Sequence, residues 1–130
     1  MRIYWDSSAL VETTVDLTLR RRLQDEGGFT RPHALSEMFS ALTGGNISIR
    51  TDAEAAARII EELAGDLEFI DLTVREMVAA LKKAKRLGVR GGRVHDFLHA
   101  VAAEKAGADK IVTLDENDFN GLTGLKIELV

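Results

Sequence analysis

Cysteine is absent from this 130-residue sequence, which also contains a single proline, three histidines and only 5% aromatic residues. Without cysteine the protein has no disulfides, no thiolate zinc site and no cysteine nucleophile. No run approaches the roughly 18 consecutive apolar residues of a transmembrane helix, and Asp6 breaks the short apolar segment at the amino terminus. We therefore expect a cytoplasmic protein with no membrane span and no signal peptide, whose chemistry comes from carboxylates, hydroxyls or histidine.

The composition that remains is typical of a folded protein, and we predict a single domain over residues 1–130. Hydrophobic residues make up 45% and charged residues 29% of the chain, which argues against disorder. The net charge is −4, so a uniformly basic surface for nucleic acid is excluded, although a local basic patch is not.

Short apolar segments that favour strands alternate along the chain with amphipathic segments that favour helices. The predicted strands are residues 2–5, 29–30, 67–72, 111–114 and 126–130. The predicted helices are residues 9–12, 16–25, 32–42, 51–64, 73–87 and 94–106. This alternation predicts a three-layer α/β/α fold, with a mostly parallel sheet of four or five strands between layers of helices.

Capping and breaking residues set the predicted ends of these helices. The predicted amino-terminal caps are Ser7 or Ser8 for the first helix and the capping boxes of Thr51 with Glu54 and Thr73 with Glu76. The predicted carboxyl-terminal stops are the glycine pairs Gly27-Gly28 and Gly44-Gly45 and the single glycines Gly88 and Gly107.

Two predicted strands end in carboxylates at the sheet edge where parallel α/β proteins bind their ligands. Asp6 follows the first strand, and Asp115 follows the strand at 111–114. Two further acids, Glu37 and Asp96, lie early in otherwise apolar helices, where an acid either faces solvent or points into a shared pocket. The alternative for each of the four is a structural role as a turn residue, a cap or a solvated acid.

Carboxylates that share a pocket repel each other and raise each other's pKa, which makes such a cluster costly. A divalent cation removes that cost, and oxygen ligands without cysteine suit Mg²⁺ or Mn²⁺. An acidic cluster with such ions is well suited to the hydrolysis of phosphodiester bonds. The residues therefore suggest a carboxylate metal site, provided that the four acids meet in the fold.

Three motifs, taken in order, carry a resemblance to a known family over essentially the full length of the chain. They are YWDSSALV at residues 4–11, HALSEMFSAL at 33–42, and a third made of DFLHAVA at 96–102, GAD at 107–109, IVTLD at 111–115 and DF at 118–119. In order and spacing they resemble the PIN-domain family, and most of all its small VapC-type ribonuclease toxins. Each motif is weak alone, but all of them in this order are specific.

The resemblance implies a PIN-like fold and a Mg²⁺- or Mn²⁺-dependent endoribonuclease, in which a metal-activated water attacks the RNA without a covalent intermediate. It implies that the catalytic and metal-binding acids are Asp6, Glu37, Asp96 and Asp115. It implies supporting roles, in orienting a carboxylate or a water, for Ser7, Ser8 and Thr113, with Asp118 as a further supporting residue or the alternative fourth acid. His99, one helical turn after Asp96, is expected to be a packed or hydrogen-bonded residue rather than a ligand.

The resemblance also implies partners for the protein. The substrate would be single-stranded RNA, and an antitoxin protein would inhibit the enzyme by covering or entering the acidic pocket. We expect a homodimer, for which the helices at 16–25 and 51–64 offer apolar faces. The residues of these faces are Leu17, Leu19, Leu23, Ala56, Ile59, Ile60 and Leu63.

A strongly basic segment leads into Asp96. Residues 82–93 carry a charge of +6 with no acid, so the other 118 residues carry −10. Lysines at a helix end also complement the helix dipole, but this does not account for Arg90 and Arg93 in the glycine-rich loop beyond. We therefore predict a basic rim that contacts RNA phosphates, formed by Lys85, Arg86, Arg90, Arg93 and His95.

Other functional classes fit the sequence less well or remain open. A phosphohydrolase of the haloacid dehalogenase type needs D-x-D after the first strand, where this chain has Asp6-Ser7-Ser8. A phosphoreceiver domain needs a lysine after the last core strand, whereas Lys110 precedes its strand. A PIN-like module that binds RNA or protein without catalysis, and a housekeeping PIN nuclease, remain as alternatives.

Overall fold

The computed structural model describes residues 1–44 and 50–130. The strands are β1 (Ile3–Trp5), β2 (Phe29–Thr30), β3 (Glu68–Phe69), β4 (Lys110–Thr113) and β5 (Lys126–Leu129). The helices are α1 (Ser7–Glu12), α2 (Leu17–Glu26), α3 (His33–Gly44), α4 (Ala53–Ala64), α5 (Val74–Leu81) and α6 (Arg93–Lys105). A short 3₁₀ helix (Glu116–Phe119) follows β4. None of the helices described is long and apolar enough to cross a membrane.

The five strands form one parallel sheet in the order β3-β2-β1-β4-β5. In the central strand β1, Tyr4 pairs with Phe29 of β2 on one side and with Ile111 of β4 on the other. Helices cover both faces of the sheet, so the predicted three-layer α/β/α fold is confirmed. Because all strands point the same way, the carboxyl ends of β1 and β4 meet at one edge, where ligands bind in such folds.

Side chains that alternate along the strands form an apolar core on each face of the sheet. Tyr4 and Ile111 pack against α5 and α6, in a core that includes Phe97. Trp5 and Val112 pack on the opposite face, against the layer of α1, α2, α3 and α4. All three residues of β1 are buried, which fixes the position of the acid that follows this strand.

Close packing around Trp5 explains why a glycine pair follows α2. The indole Nε1 of Trp5 donates a hydrogen bond to the carbonyl oxygen of Gly27 at 3.0 Å. At Gly28 the φ angle is 143°, and a Cβ atom would lie 2.6 Å from that same indole nitrogen. Only glycine adopts this φ angle readily and has no Cβ atom. Gly28 therefore leaves room for the indole of Trp5, the residue that precedes Asp6.

Two predicted helix caps are wrong by one or two residues. α1 is capped by the side chain of Asp6 rather than by Ser7 or Ser8. α4 is capped by Asp52 rather than by Thr51, so the predicted capping box is absent there. In both places the aspartate lies next to a hydroxyl residue, and its carboxylate also gains from the positive end of the helix dipole.

The helix α5 ends at Leu81, whereas the sequence predicts a helix to residue 87. Residues 82–88 form successive turns, in which the amide of Ala84 bonds to the carbonyl of Leu81, only three residues back. Lysine and arginine residues crowd positions 82–86 and repel each other at helical spacing. The predicted stop at Gly88 is kept, because this residue closes the turns with a φ of 71°.

The strand β3 covers two residues, although the sequence predicts six at 67–72. Its length is limited by the neighbouring strand β2, which is itself two residues long. The amides of Glu68 and Ile70 bond to β2 and the glycine before it, and beyond Ile70 no partner strand continues.

The remaining predicted elements agree with the structure to within two residues at each end. The capping box of Thr73 and Glu76 is present at the start of α5, and Gly107 follows α6 with a φ of 69°. α3 continues to Gly44, and the predicted stop at Gly45 lies outside the described residues.

Candidate active site

The most buried acid of the site is Asp6, which follows β1 at the carboxyl edge of the sheet. Its amide donates a hydrogen bond to the carbonyl oxygen of Val112 at 3.2 Å, which joins β1 to β4. Only 3% of the residue is exposed. Its Oδ1 accepts from the amide of Ala9 at 2.9 Å and from Ser8 Oγ at 2.7 Å, and its Oδ2 accepts from Thr113 Oγ1 at 2.6 Å. The carboxylate is therefore held in one orientation, and two of the predicted supporting hydroxyls contact it directly.

Two opposed effects act on the pKa of Asp6. Burial raises the pKa, because the charged form loses its contact with water. The hydrogen bonds from Thr113, Ala9 and Ser8 favour the charged form and lower it. The net pKa is raised, so the charged form of this carboxyl group is costly in free energy.

The second acid, Glu37, projects from α3 and is held by two side chains. Its Oε1 lies 2.7 Å from Nε2 of His99, and its Oε2 accepts a hydrogen bond from Ser7 Oγ at 3.3 Å. His99 is on α6 and is 1% exposed. Its Nδ1 lies 2.7 Å from the hydroxyl of Tyr4. A chain of hydrogen bonds thus runs from β1 through α6 to α3, and His99 is a buried, hydrogen-bonded residue.

The pKa values of Glu37 and Tyr4, at the two ends of this chain of hydrogen bonds, indicate which atoms carry hydrogens. Burial raises the pKa of Glu37, but the hydrogen bond and charge of His99 outweigh it, so the net pKa is lowered. The ionised carboxylate has no proton, so Nε2 of His99 is the donor to it. Burial raises the pKa of Tyr4 well above its usual value, so its hydroxyl keeps its proton and shares a hydrogen bond with Nδ1. Nε2 of His99 therefore carries a hydrogen in this network.

The third acid, Asp96, lies in the first turn of α6 and is half-buried. Its pKa is raised to about 6, by burial first and then by the negative charges of Asp118, Asp6 and Glu37. Charge effects of this kind weaken with distance, so these four acids face one region at the carboxyl edge of the sheet. They are called the acid cluster below.

The two acids that follow β4 have different environments. Asp115 is exposed, and its Oδ1 accepts a hydrogen bond from the amide of Asn117 at 2.9 Å, which caps the 3₁₀ helix. Asp118 is partly buried, and burial, followed by the charges of Asp115 and Asp6, raises its pKa. Asp118 thus has a raised pKa, as Asp6 and Asp96 do, while Asp115 takes the capping role that is common for aspartate in a turn.

The acid cluster fits a divalent cation in the type and charge of its donors. Carboxylate oxygens flanked by hydroxyls are the ligands that Mg²⁺ and Mn²⁺ prefer. The raised pKa of Asp96, about 6, reflects burial and excess negative charge, and a cation would neutralise that charge. Within residues 1–44 and 50–130, no three His, Asp or Glu side chains stand close enough together to hold a metal ion.

Arg93, the first residue of α6, is the member of the predicted basic rim that reaches the acid cluster. Burial and neighbouring acids raise the pKa of Asp118, and the charge of Arg93 opposes that shift. The Nη2 group of Arg93 donates a hydrogen bond to the carbonyl oxygen of Asn120. The guanidinium of Arg93 therefore lies near enough to Asp118 for its charge to act on that acid.

The other members of the basic rim lie at the surface. Lys85 and Arg90 are exposed and line a shallow depression of about 550 Å³ in the segment that joins α5 to α6. Arg86 is exposed in the same segment. His95 is exposed in the first turn of α6, where its ring stacks on that of His33. The chain from residue 85 to residue 95 therefore carries these side chains towards the acid cluster.

The sequence does not by itself predict two further residues of the site, Tyr4 and Arg31. The one signal for Tyr4 is a hydroxyl within an otherwise apolar strand. Arg31 follows β2 and is 7% exposed. Burial lowers the pKa of His33, and the charge of Arg31 adds to that effect. The signal for Arg31 is its position directly after a strand, which is the same position that Asp6 has after β1.

Comparison with known proteins concerns the family and the fold. The family model of the PIN domain matches residues 3–124, a range that includes every acid described above. No curated protein matches the sequence. Among solved structures, the chain is similar to the crystal structure of PAE2754 from Pyrobaculum aerophilum, with a TM-score of 0.71 and 18% sequence identity over 98% of this chain and 89% of that chain. At this identity the likeness shows the fold alone.

Proposed function

The chain belongs to the PIN domain family, and on this basis we propose that it is a Mg²⁺- or Mn²⁺-dependent endoribonuclease. PIN domains are generally nucleases, and they typically use divalent metal ions. The observation that carries the proposal is the acid cluster, in which burial and three other carboxylates raise the pKa of Asp96 to about 6. A cluster of this kind costs stability, so a fold keeps it where it serves a function. Acids with a perturbed pKa are accordingly concentrated at functional sites.

The acid cluster provides the groups that would hold the cation. Asp6, Asp96 and Glu37 supply three carboxylates from three different elements. We assign the fourth to Asp118, because Asp115 is exposed and its Oδ1 caps the 3₁₀ helix. When bound, a divalent cation lowers the pKa of a water and stabilises the leaving oxygen of a phosphodiester.

The surrounding side chains keep the acids in a fixed orientation. Ser8 and Thr113 each donate a hydrogen bond to Asp6, and His99 donates one to Glu37. Outer side chains of this kind fix the orientation of ligating groups and raise affinity for the cation. The Oε2 atom of Glu37 has only the 3.3 Å bond from Ser7, so this oxygen is available to an attacking water.

The basic rim supports RNA as the substrate. The chain has a net charge of −4, yet residues 82–93 alone carry +6. Phosphates bind to such a concentration of lysine and arginine through charge and counterion release. The charge of Arg93 acts on Asp118, and the basic segment leads in sequence to Asp96, so a backbone that follows the basic rim would approach the carboxylates.

We further propose that this nuclease is the toxin of a toxin–antitoxin pair and acts in the cytoplasm as a homodimer. The resemblance to VapC-type toxins supports this role, together with uncovered apolar surface. Leu17 of α2 is 84% exposed and Phe39 of α3 is 39% exposed. Shallow depressions of about 190 Å³ beside Leu17 and about 450 Å³ beside Phe39 suit a second copy of the chain or a helix of an antitoxin.

A PIN-like module that binds RNA or protein without catalysis is the second candidate. One observation favours it: in the part of the chain that the structure describes, no three potential ligands are close enough to hold a metal ion. The presence of all four acids favours the nuclease instead. A housekeeping PIN nuclease would share the chemistry proposed here and would differ only in lacking the antitoxin.

Cleavage of single-stranded RNA by the purified protein tests the proposal. We expect cleavage with Mg²⁺ or Mn²⁺, none with EDTA, and a loss of at least about 100-fold in Asp96→Asn. The matched control Asp25→Asn removes an exposed acid of α2 and should cleave like the wild type. Equal cleavage by Asp96→Asn would contradict the site, and RNA binding without cleavage in either cation would favour the binding module.

A further inference from the structure

Two imidazoles stack on each other beside the acid cluster. The rings of His33, at the start of α3, and His95, in the first turn of α6, have centroids 5.2 Å apart and planes inclined by 14°. His33 lies one helical turn before Glu37, and His95 immediately precedes Asp96. His95 is exposed and His33 is partly buried. Within residues 1–44 and 50–130, neither ring has a hydrogen-bond partner, so no hydrogen bond fixes the orientation of either imidazole.

A depression of about 500 Å³ opens beside this pair and extends to Glu37. Its volume lies in the range of sites that bind small molecules. Ser36 and Ser40, one turn apart on α3, add two exposed hydroxyls to its lining. The carboxylate of Glu37 is the acidic group in this lining and repels a phosphate. A planar, uncharged group with a polar edge is therefore the better occupant.

We propose that His33 and His95 form a stacking platform that holds an unpaired nucleobase of the RNA next to the acid cluster. This inference rests on the proposed ribonuclease function. It adds a contact to a base of the RNA to the phosphate contacts proposed for the basic rim. Unpaired RNA bases bind by stacking on aromatic side chains, histidine included. Ser36 and Ser40 line the same depression as the two rings, so their hydroxyls are available to the polar edge of such a base.

The platform also accounts for the position of the two rings. One ring comes from the helix that carries Glu37, and the other comes from the helix that carries Asp96. A base stacked on the outer face of this pair would lie close to both helices, and its phosphodiester would meet the carboxylates once a cation has neutralised their charge. Stacking depends little on which base is present, so the platform contributes affinity and position rather than sequence preference.

Binding of a single-stranded RNA that contains 2-aminopurine tests the platform, because the fluorescence of this base falls when it stacks. The measurement is made in EDTA, so that the RNA stays intact. We expect the wild type to quench the fluorescence. His95→Ala should bind about 5–100-fold more weakly and should not quench. His95→Phe should keep both properties, because a phenyl ring stacks but has neither charge nor ring nitrogens.

His33→Ala and His33→Phe repeat the comparison from the other ring, at a position that is not adjacent to Asp96. The exposed Arg75 of α5 provides a control variant, Arg75→Ala, which should quench like the wild type. Thermal unfolding followed by circular dichroism shows that each variant is folded.

Unchanged binding and quenching in both alanine variants would overturn the platform. Equal losses in the alanine and phenylalanine variants would also overturn it, since stacking would then not be the interaction. If the wild type neither binds single-stranded RNA in EDTA nor cleaves it with Mg²⁺ or Mn²⁺, the proposed ribonuclease fails together with this inference. If the wild type binds RNA and the alanine variants match it, only the platform fails.

Discussion

Nε2 of His99 donates a hydrogen bond to the carboxylate of Glu37 across 2.7 Å, between residues 62 positions apart in the sequence. The hydroxyl of Tyr4 holds the other ring nitrogen, also at 2.7 Å. A buried imidazole that is bonded at both nitrogens has one orientation, so the acid that it contacts is held as well. The proposed nuclease therefore depends on a positioning residue that need not touch the cation or the RNA.

His99→Leu removes this positioning group while keeping an apolar side chain in the core. The variant leaves the Glu37 carboxylate and the Tyr4 hydroxyl without their partner. We expect the free energy of unfolding to fall by about 2–4 kcal/mol and cleavage of RNA to fall about 10–100-fold. His99→Gln keeps an amide donor and should lose less of both. Urea unfolding and cleavage kinetics measure the two effects, and a wild-type kcat in His99→Leu would contradict the positioning role.

Asp118→Asn and Asp115→Asn are a matched pair that identifies the fourth acid. Asp118→Asn removes a charge from the acid cluster, and we expect RNA cleavage to fall about 100-fold. Asp115→Asn leaves an amide oxygen that caps the 3₁₀ helix as well as the carboxylate does, so its cleavage should stay within about threefold of the wild type. The reverse order of the two rates would assign the fourth position to Asp115.

Asp96→Asn is expected to stabilise the protein when no cation is bound. The pKa of Asp96 in the folded state is about 6, above the ordinary value of 3.8, so the folded protein binds this proton more tightly than the unfolded chain. The free energy of unfolding therefore falls as the pH rises through this interval, and asparagine removes that loss.

In EDTA at pH 7 we expect the melting temperature of Asp96→Asn to exceed that of the wild type by about 2–5 °C. At pH 4 the difference should nearly vanish, because Asp96 then carries its proton in the folded state. Thermal unfolding at the two pH values measures both quantities. Identical melting temperatures at pH 7 would show that the acids are not crowded.

Glu128 of β5 is bound by two cations, Arg22 and Lys110. The hydrogen bond from Arg22 is the main cause that lowers the pKa of Glu128 to about 2. A carboxyl group whose pKa is lowered on folding stabilises the folded state at pH values above its ordinary pKa of 4.5. That stabilisation is lost as the pH falls towards 2. Glu128→Gln should therefore cost about 1 kcal/mol at pH 7 and little at pH 2.

Urea unfolding across this pH range measures the cost. The control Glu68→Gln changes an exposed acid on the opposite edge strand and should have little effect at either pH. A deficit in Glu128→Gln that stays constant from pH 7 to pH 2 would show that the ion pairs do not stabilise the fold.

The backbone of the fold and the place of Asp6 are predictable from local patterns. An apolar strand followed at once by an acid, in a chain of alternating strands and helices, puts that acid at the carboxyl edge of a parallel sheet. The end of α5 is harder to predict, because the apolar residues Ala84 and Leu87 continue the helical pattern while the repulsion between the neighbouring cations opposes a helix. The sequence pattern does not show which of these two effects is larger.

The hydrogen bonds inside the site depend on contacts between distant residues, which no local pattern specifies. Tyr4 and His99 are 95 positions apart, and each is also consistent with simple packing in the core. The choice between Asp115 and Asp118 depends on the 3₁₀ helix, of which Asp115 is the exposed N-cap while Asp118 is partly buried within it. A run of polar residues predicts a turn but not which way each side chain points.

The central claim is that the acid cluster binds a divalent cation, and calorimetric titration of the protein with Mn²⁺ at pH 7 tests it most directly. We predict saturable binding to the wild type, at least about tenfold weaker binding to Asp96→Asn, and unchanged binding to Asp25→Asn. No binding to the wild type, or equal binding to the wild type and Asp96→Asn, would contradict the account.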